Sequence, residues 1–300
     1  MAPAVVVATD SSACLPWDIA EAWGVLVAPL QVIVDDEAFD EAFDEGSGIA
    51  PQAVVEALVA GRRVTTSQPG PAVLLKLIEQ ATAAGATDMV FVSISGTISG
   101  TAQAMRAASA AATGSASGAL RVIVVDSGTV SLAAGLAALS AAAVARSGGS
   151  ADEVAAEARR AAESSLCLFT VDTLEYLRRG GRVSDTMAAL GNALGVKPVL
   201  GVVDGRVDQV ERVRTSVKAR AAVLDRIAAH APSHVHPVIG VMTLAGDDEM
   251  AMAARGVIAS RGDWPVITAG LSAVLAAHGG PGSLAVAVVD VHADVAAALA

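Results

Sequence analysis

Aromatic side chains are scarce in this chain. Four Phe, three Trp and one Tyr make up 3% of its 300 residues, too few for the successive stacking platforms that hold unpaired bases. Positive charge is also in short supply. Twenty Lys and Arg face 31 Asp and Glu, which leaves a formal net charge of −11. Such a surface repels a phosphate backbone or an anionic bilayer, which argues against nucleic acid and membrane as main partners. Cysteine is limited to Cys14 and Cys167, with no CxxC pair and no Cys/His ligand spacing. A disulfide framework or zinc site is therefore not expected, and a reducing, cytoplasmic setting fits. Long apolar runs are missing too. The stretch Leu132–Ala145 is mainly alanine and shorter than the roughly 20 residues a bilayer requires. It reads as a buried helix, so no stable membrane insertion is expected. The first apolar run has no basic residue before it and ends in Asp10, the pattern of a first strand and not of a signal peptide.

What the chain does have is alternation. Short β-branched runs over Ala4–Ala8, Val25–Val34, Met89–Ile94, Arg121–Val125 and Leu166–Val171 read as strands. Alanine-rich stretches over Pro16–Trp23, Pro51–Ala60, Pro71–Ala84, Gly100–Ala112, Thr129–Arg146 and Ala151–Ser164 read as helices. Pro16, Pro51 and Pro71 stand where a first helical residue belongs, and Gly24, Gly61 and Gly85 just past helix ends. The fold class that follows is α/β, with a mostly parallel N-terminal sheet between helices. The acidic stretch Asp35–Asp44 is expected to be an excursion over the surface. After about Ser165 the pattern changes. Pro198–Val203 and Arg206–Val213 flank Asp204-Gly205, a two-residue hairpin signal. Helices over Ser216–Ala229 and Asp247–Ser260 and strands over Pro237–Leu244 and Ser283–Val289 complete a second unit with a mixed or antiparallel sheet. The expected domains are 1–165 and 166–300.

Ligands of doubly wound sheets sit beyond the carboxyl ends of the strands. Four hydroxyl-rich clusters are expected there: Thr9-Asp10-Ser11-Ser12, Thr65-Thr66-Ser67-Gln68, Ser95-Gly96-Thr97-Ile98-Ser99-Gly100-Thr101 and Asp126-Ser127-Gly128-Thr129. One such cluster before a helix is ordinarily a cap. Four at one sheet edge point to a site for an anionic group, and the run from Ser95 to Thr101 holds more hydroxyls than one cap can use.

Together these segments resemble the DegV family of bacterial fatty-acid-binding proteins. The resemblance rests on TDSSACLP at the start, TSQPGP at Thr66–Pro71, SGTISGTAQA at Ser95–Ala104, DTLEYLRRGGRVS at Asp172–Ser184, GVKPVLGVVDGRV from residue 195, RVRTSVKA at Arg212–Ala219 and HGGPG at His278–Gly282. Gly96 and Gly279 stand where the family pattern has hydroxyl residues. The resemblance implies a DegV-like pair of α/β domains with a long-chain fatty acid in a tunnel between or beneath them, and no cofactor. It implies that Thr66 and Ser95 meet the carboxylate with His278 behind them. Ser67, Thr97, Ser99, Gly100, Ser127 and Gly280 would shape the supporting loops. It further implies a lipid carrier without catalysis of its own, which presents the carboxylate to a fatty acid kinase for acyl-phosphate formation, with Arg182 and Arg214 in the docking surface.

Two other readings compete with this one. HGGPG resembles an esterase oxyanion segment, but the chain has no GxSxG elbow. A phosphotransfer enzyme or a binder of phosphorylated small molecules would suit the Ser/Thr-Gly loops, yet a P-loop lysine is missing. His234 and His236 are a weak metal pair at most. Arg178, Arg179, Arg182, Arg212, Arg214, Lys218 and Arg220 gather positive charge in an acidic chain, which fits an acidic partner.

Overall fold

The computed structural model describes residues 4–41, 48–113, 120–184, 196–244 and 247–300. Strand β1 (Val5–Asp10) is buried along its whole length. Helix α1 (Trp17–Trp23) follows it and turns at Gly24 into β2 (Leu26–Ala28). Next come β3 (Gln31–Val34), β4 (Glu37–Asp40), α2 (Pro51–Val59), β5 (Val64–Ser67), α3 (Pro71–Ala83), β6 (Asp88–Ser93), α4 (Thr101–Thr113), β7 (Arg121–Asp126), α5 (Leu132–Arg146) and α6 (Ala151–Glu163). Strands β2-β1-β6-β7 form a four-stranded sheet, parallel throughout. It is the parallel sheet that the strand-helix alternation predicts.

The second half builds a six-stranded mixed sheet. It contains β8 (Leu166–Thr170), β9 (Lys197–Val203), β10 (Arg206–Val213), β11 (Pro237–Thr243), β12 (Val266–Gly270) and β13 (Leu284–Asp290), in the order β10-β9-β8-β13-β11-β12. Helices α7 (Glu175–Arg179), α8 (Ser216–His230), α9 (Asp248–Ala259), α10 (Ala273–Gly279) and α11 (Ala293–Leu299) accompany it. Only the β11–β12 pair is parallel. The β9–β10 hairpin turns on Asp204 and Gly205, whose φ of 49° and 76° are the two positive angles of a type I′ turn.

Helix α5 lies between the two sheets. From Leu132 to Ala143 every residue is buried, as expected of a helix that is apolar on all sides. Its leucines and alanines share one core with Val5 and Val7 of β1, Val90 and Val92 of β6, Met242 of β11 and Ala285 and Ala287 of β13. Small side chains let both sheets approach the helix closely, which is where the alanine content is spent.

A third sheet departs from expectation, and it matters for the site. The run Val25–Val34 is not one strand. Pro29, which cannot donate to a ladder, separates β2 in the parallel sheet from β3 in a small antiparallel sheet ordered β4-β3-β5. The acidic excursion expected over Asp35–Asp44 contains β4, hairpinned onto β3 through Asp35 and Asp36, both at positive φ. Its last residues, 42–44, lie outside the described residues. The segment Thr65-Thr66-Ser67 is strand β5 and does not extend from the parallel sheet. The four hydroxyl clusters therefore do not share one edge: three follow β1, β6 and β7, and the fourth lies in the small sheet. Strand β12 and helix α10 carry no clear periodic signal and were not anticipated.

Candidate functional site

Thr66 is the natural starting point. On β5 it shares a face with Val64, two residues away. Val64 packs on a cluster with Ala273, Val274 and Ala277 of α10, so Thr66 looks toward that helix. His278 is one turn beyond Val274, and its Nε2 lies 2.9 Å from Thr66 Oγ1. Helix α10 is seated by a buried carboxylate: Glu41 Oε1 accepts from the Val274 N–H at 2.8 Å, and its other oxygen accepts from the Ser11 hydroxyl. Ser11 Oγ in turn accepts from Leu30 N–H at 2.8 Å. A chain of hydrogen bonds thus runs from the turn after β1 through Glu41 to the helix that carries His278.

The His278 ring has an open side and a closed side. Nδ1 is buried and has no hydrogen-bond partner. It packs on Gly180, where an added Cβ would overlap the ring. Burial, with the Arg182 charge as a second cause, pushes His278 down to about 3, so the ring is neutral near pH 7. One ring nitrogen then carries hydrogen. A buried N–H without an acceptor is rarer and costlier than an unpaired acceptor. The hydrogen therefore belongs on Nε2, where it is donated to Thr66 Oγ1. That leaves the Thr66 hydroxyl hydrogen free to point at a ligand.

Two cavities meet at this ring. The first is a vestibule of about 240 Å³ with a mixed lining: Thr66, Ser67, Gln68, Ser99 and His278 among its polar residues, and Leu30, Ile94, Val274 and Leu275 among its apolar ones. The second is an apolar throat of about 80 Å³ against Cys167, Phe169, Val171, Leu177, Val207 and Leu284. Ile98, Arg182, Leu275 and His278 line both, so vestibule and throat share a wall. The Cys167 thiol in the throat is pushed up to about 12 by burial; it is a neutral lining group, not a nucleophile.

The remaining predicted residues fall into three groups. Ser67, Ser99 and Gly100 line the vestibule with Thr66 and His278. Ser95 and Thr97 do not line either cavity; both hydroxyls donate to the Gly205 carbonyl, at 2.7 Å from Ser95. Ser127 closes its own turn, exchanging bonds with the backbone of Thr129. Gly280 ends α10 at a φ of 72°, against the Tyr176 ring. Arg214 is exposed just beyond β10. Arg182, expected on the docking surface, is half-buried with its Nη1 on the Gly180 carbonyl at 2.6 Å, and burial lowers its pKa. Sequence reasoning missed its place beside His278, along with Gln68 and Leu275. Gln68 was legible as part of the TSQP segment; Leu275 was not, because α10 itself was unrecognised. No group of three or more His, Cys, Asp or Glu able to hold a metal occurs among the described residues. Among them, no helix is long and apolar enough to cross a membrane.

The geometry is that of two adjacent cavities, one apolar and one bearing hydroxyl, amide and imidazole groups, set where three sheets meet. The family model described as "Uncharacterised protein, DegV family" matches residues 4–291, and the chain belongs to that family. A DegV domain-containing protein of Streptomyces coelicolor is 37% identical over 287 residues, covering 95% of this chain and 98% of the relative. One from Deinococcus radiodurans is 32% identical over 284 residues, covering 94% and 97%. Among solved structures, a DegV family protein of Thermus thermophilus described by its fatty acid binding superposes with a TM-score of 0.84. It has 32% identity and covers 96% of this chain and 99% of its own. DegV of Bacillus subtilis, described as a fatty acid binding protein, gives 0.82 at 26% identity over 95% and 99%.

Proposed function

We propose that this protein holds one long-chain fatty acid, with its tail in the throat and its carboxylate in the vestibule, and does no chemistry on it. The observation that carries the reading is the adjacency of the two cavities, which are divided only by Ile98, Arg182, Leu275 and His278. An amphiphile has an apolar body and one polar end; the throat suits the first, and the hydroxyl, amide and imidazole groups of the vestibule suit the second. The fatty acid binding ascribed to the Thermus thermophilus and Bacillus subtilis relatives supports the same ligand class.

The energetics divide the labour. About fourteen methylenes at about 0.8 kcal/mol each give on the order of 11 kcal/mol gross, before ordering costs. The head contributes orientation through hydrogen bonds of about 1 kcal/mol net each, somewhat more to a charged acceptor. Thr66 supplies one donor. Ser95, which lines neither cavity, supplies a second only when its hydroxyl leaves Gly205 and the loop after β6 brings it to the vestibule. Arg182 adds a positive charge beside them. The throat at about 80 Å³ is smaller than the roughly 150 Å³ that admits a benzene ring in an engineered cavity. Entry of an acyl chain therefore requires the half-buried Ile98, Phe169 and Leu275 to repack. In this reading the protein is a carrier that presents the head group to a fatty acid kinase, which docks on the exposed basic residues Arg212 and Arg214. The first unit, 1–165, brings most of the head-group loops, and the second, 166–300, most of the throat.

Lipid extraction and mass spectrometry of the purified protein test this reading. A bound long-chain acid is expected, and Thr66→Ala combined with Ser95→Ala is expected to lower retention at least tenfold, two charge-assisted bonds being lost. Stabilisation by phosphate with no lipid bound would overturn the carrier in favour of a binder of phosphorylated molecules.

A further inference from the structure

The tip of the β9–β10 hairpin rests on the hydroxyls of the loop after β6. The Gly205 carbonyl accepts from Ser95 Oγ at 2.7 Å and also from Thr97 Oγ1, and the two hydroxyl oxygens are 3.0 Å apart. A carbonyl has two lone pairs, so this acceptor is saturated. Approach is close enough to require glycine: a Cβ on Gly205 would stand 2.8 Å from Ser95 Oγ and 3.1 Å from Thr97 Oγ1, at a φ of +76° that side chains rarely adopt. Two residues on, Val207 lines the throat. The same strand carries the exposed Arg206 and Arg212, with Arg214 just past its end.

A serine hydroxyl has one hydrogen. Ser95 cannot give it to the Gly205 carbonyl and to a carboxylate at the same time. We infer that the hairpin tip is a latch which competes with the fatty acid head group for Ser95, so that capture of the carboxylate loosens the tip and the strand behind it. The inference rests on the proposed head-group site. It adds a route by which an occupied carrier differs on its surface from an empty one: the exchanged hydrogen bond lies at Ser95, and the segment released leads directly into Arg206, Val207 and Arg212. Thr97 keeps its own bond to Gly205, so the tip loosens without leaving the loop.

Amide hydrogen exchange of the full-length protein, delipidated and then loaded with oleate, tests the latch. Loading is expected to speed exchange in the 203–207 segment roughly fivefold, the factor for one net hydrogen bond of about 1 kcal/mol, while segments lining the throat slow down. Ser95→Ala without oleate is expected to show the fast tip already. A tip that stays unchanged or slows in protein shown by mass spectrometry to hold oleate overturns the latch and leaves the fatty acid site standing. A slow tip in unloaded Ser95→Ala overturns it equally. Failure of the wild-type protein to take up oleate overturns the site reading itself, and the latch with it.

Discussion

Gly180→Ala is expected to lower fatty acid retention by at least tenfold and to destabilise the fold by about 1–3 kcal/mol, the usual cost of overpacking. The new methyl group would occupy the position of the His278 ring edge. The ring cannot retreat inward, since Nδ1 is already buried. It has to tilt toward the vestibule, which breaks the contact with Thr66 Oγ1 and narrows the space where vestibule and throat meet. Gly181→Ala provides the control. Gly181 has a φ of +73° but nothing near its would-be Cβ, so a cost of about 1 kcal/mol from backbone strain is expected, with retention kept. Thermal unfolding and lipid extraction on both variants check the pair. Equal retention in the two would show that the Gly180–His278 contact does not hold the site.

The second large effect concerns pH. Glu41 is buried between Ser11 and Val274, and burial pushes its carboxyl up to about 7 from an ordinary 4.5. Asp10 beside it is pushed up to about 6, again mainly by burial. An acid raised in this way binds its proton more tightly in the folded chain than in the unfolded one. Its full stability is present below about 4.5 and declines as pH rises toward 7, with the whole penalty in force above that. For Glu41 the loss is on the order of 3 kcal/mol. His278 works in the opposite sense: its pKa is lowered, so stability is complete above about 6.5 and is lost as pH falls toward 3. Glu41→Gln keeps an acceptor for the Val274 N–H and removes the titration. Urea unfolding is expected to show the variant gaining on the wild type between pH 5 and pH 8. Parallel pH profiles for the two proteins would count against a buried, titrating Glu41.

The hydrophobic rhythm made much of this fold legible. The parallel sheet, the Asp204-Gly205 hairpin and the all-buried α5 each have a local cause: β-branched runs between glycine stops, two adjacent residues suited to positive φ, and a helix without a polar face. The small sheet was not legible, because β3 gains its meaning from pairing with β5 across 29 intervening residues and more, and β4 from pairing with β3, which no local period records. The site divides in the same way. Thr66, Ser67, Ser99, Gly100 and His278 stood out as hydroxyl and histidine motifs, and the structure brings them to one vestibule. Ser95 was conspicuous for the same reason, yet its immediate partner is a backbone carbonyl in the other half of the chain. Backbone acceptors leave no trace in side-chain patterns. Arg182 was read as surface charge because nothing in the sequence says that α7 ends against His278.

The placement of α5 also bears on how the protein can be taken apart. One flank of this helix faces the parallel sheet and the other the mixed sheet, so the midpoint of the chain is not a hinge between self-sufficient halves. Residues 1–165 produced alone would carry a long aliphatic flank open to water and are expected to aggregate, whereas the intact chain should melt in one calorimetric step. Protease nicking near residue 165 would then yield fragments that stay together until the core they share is lost.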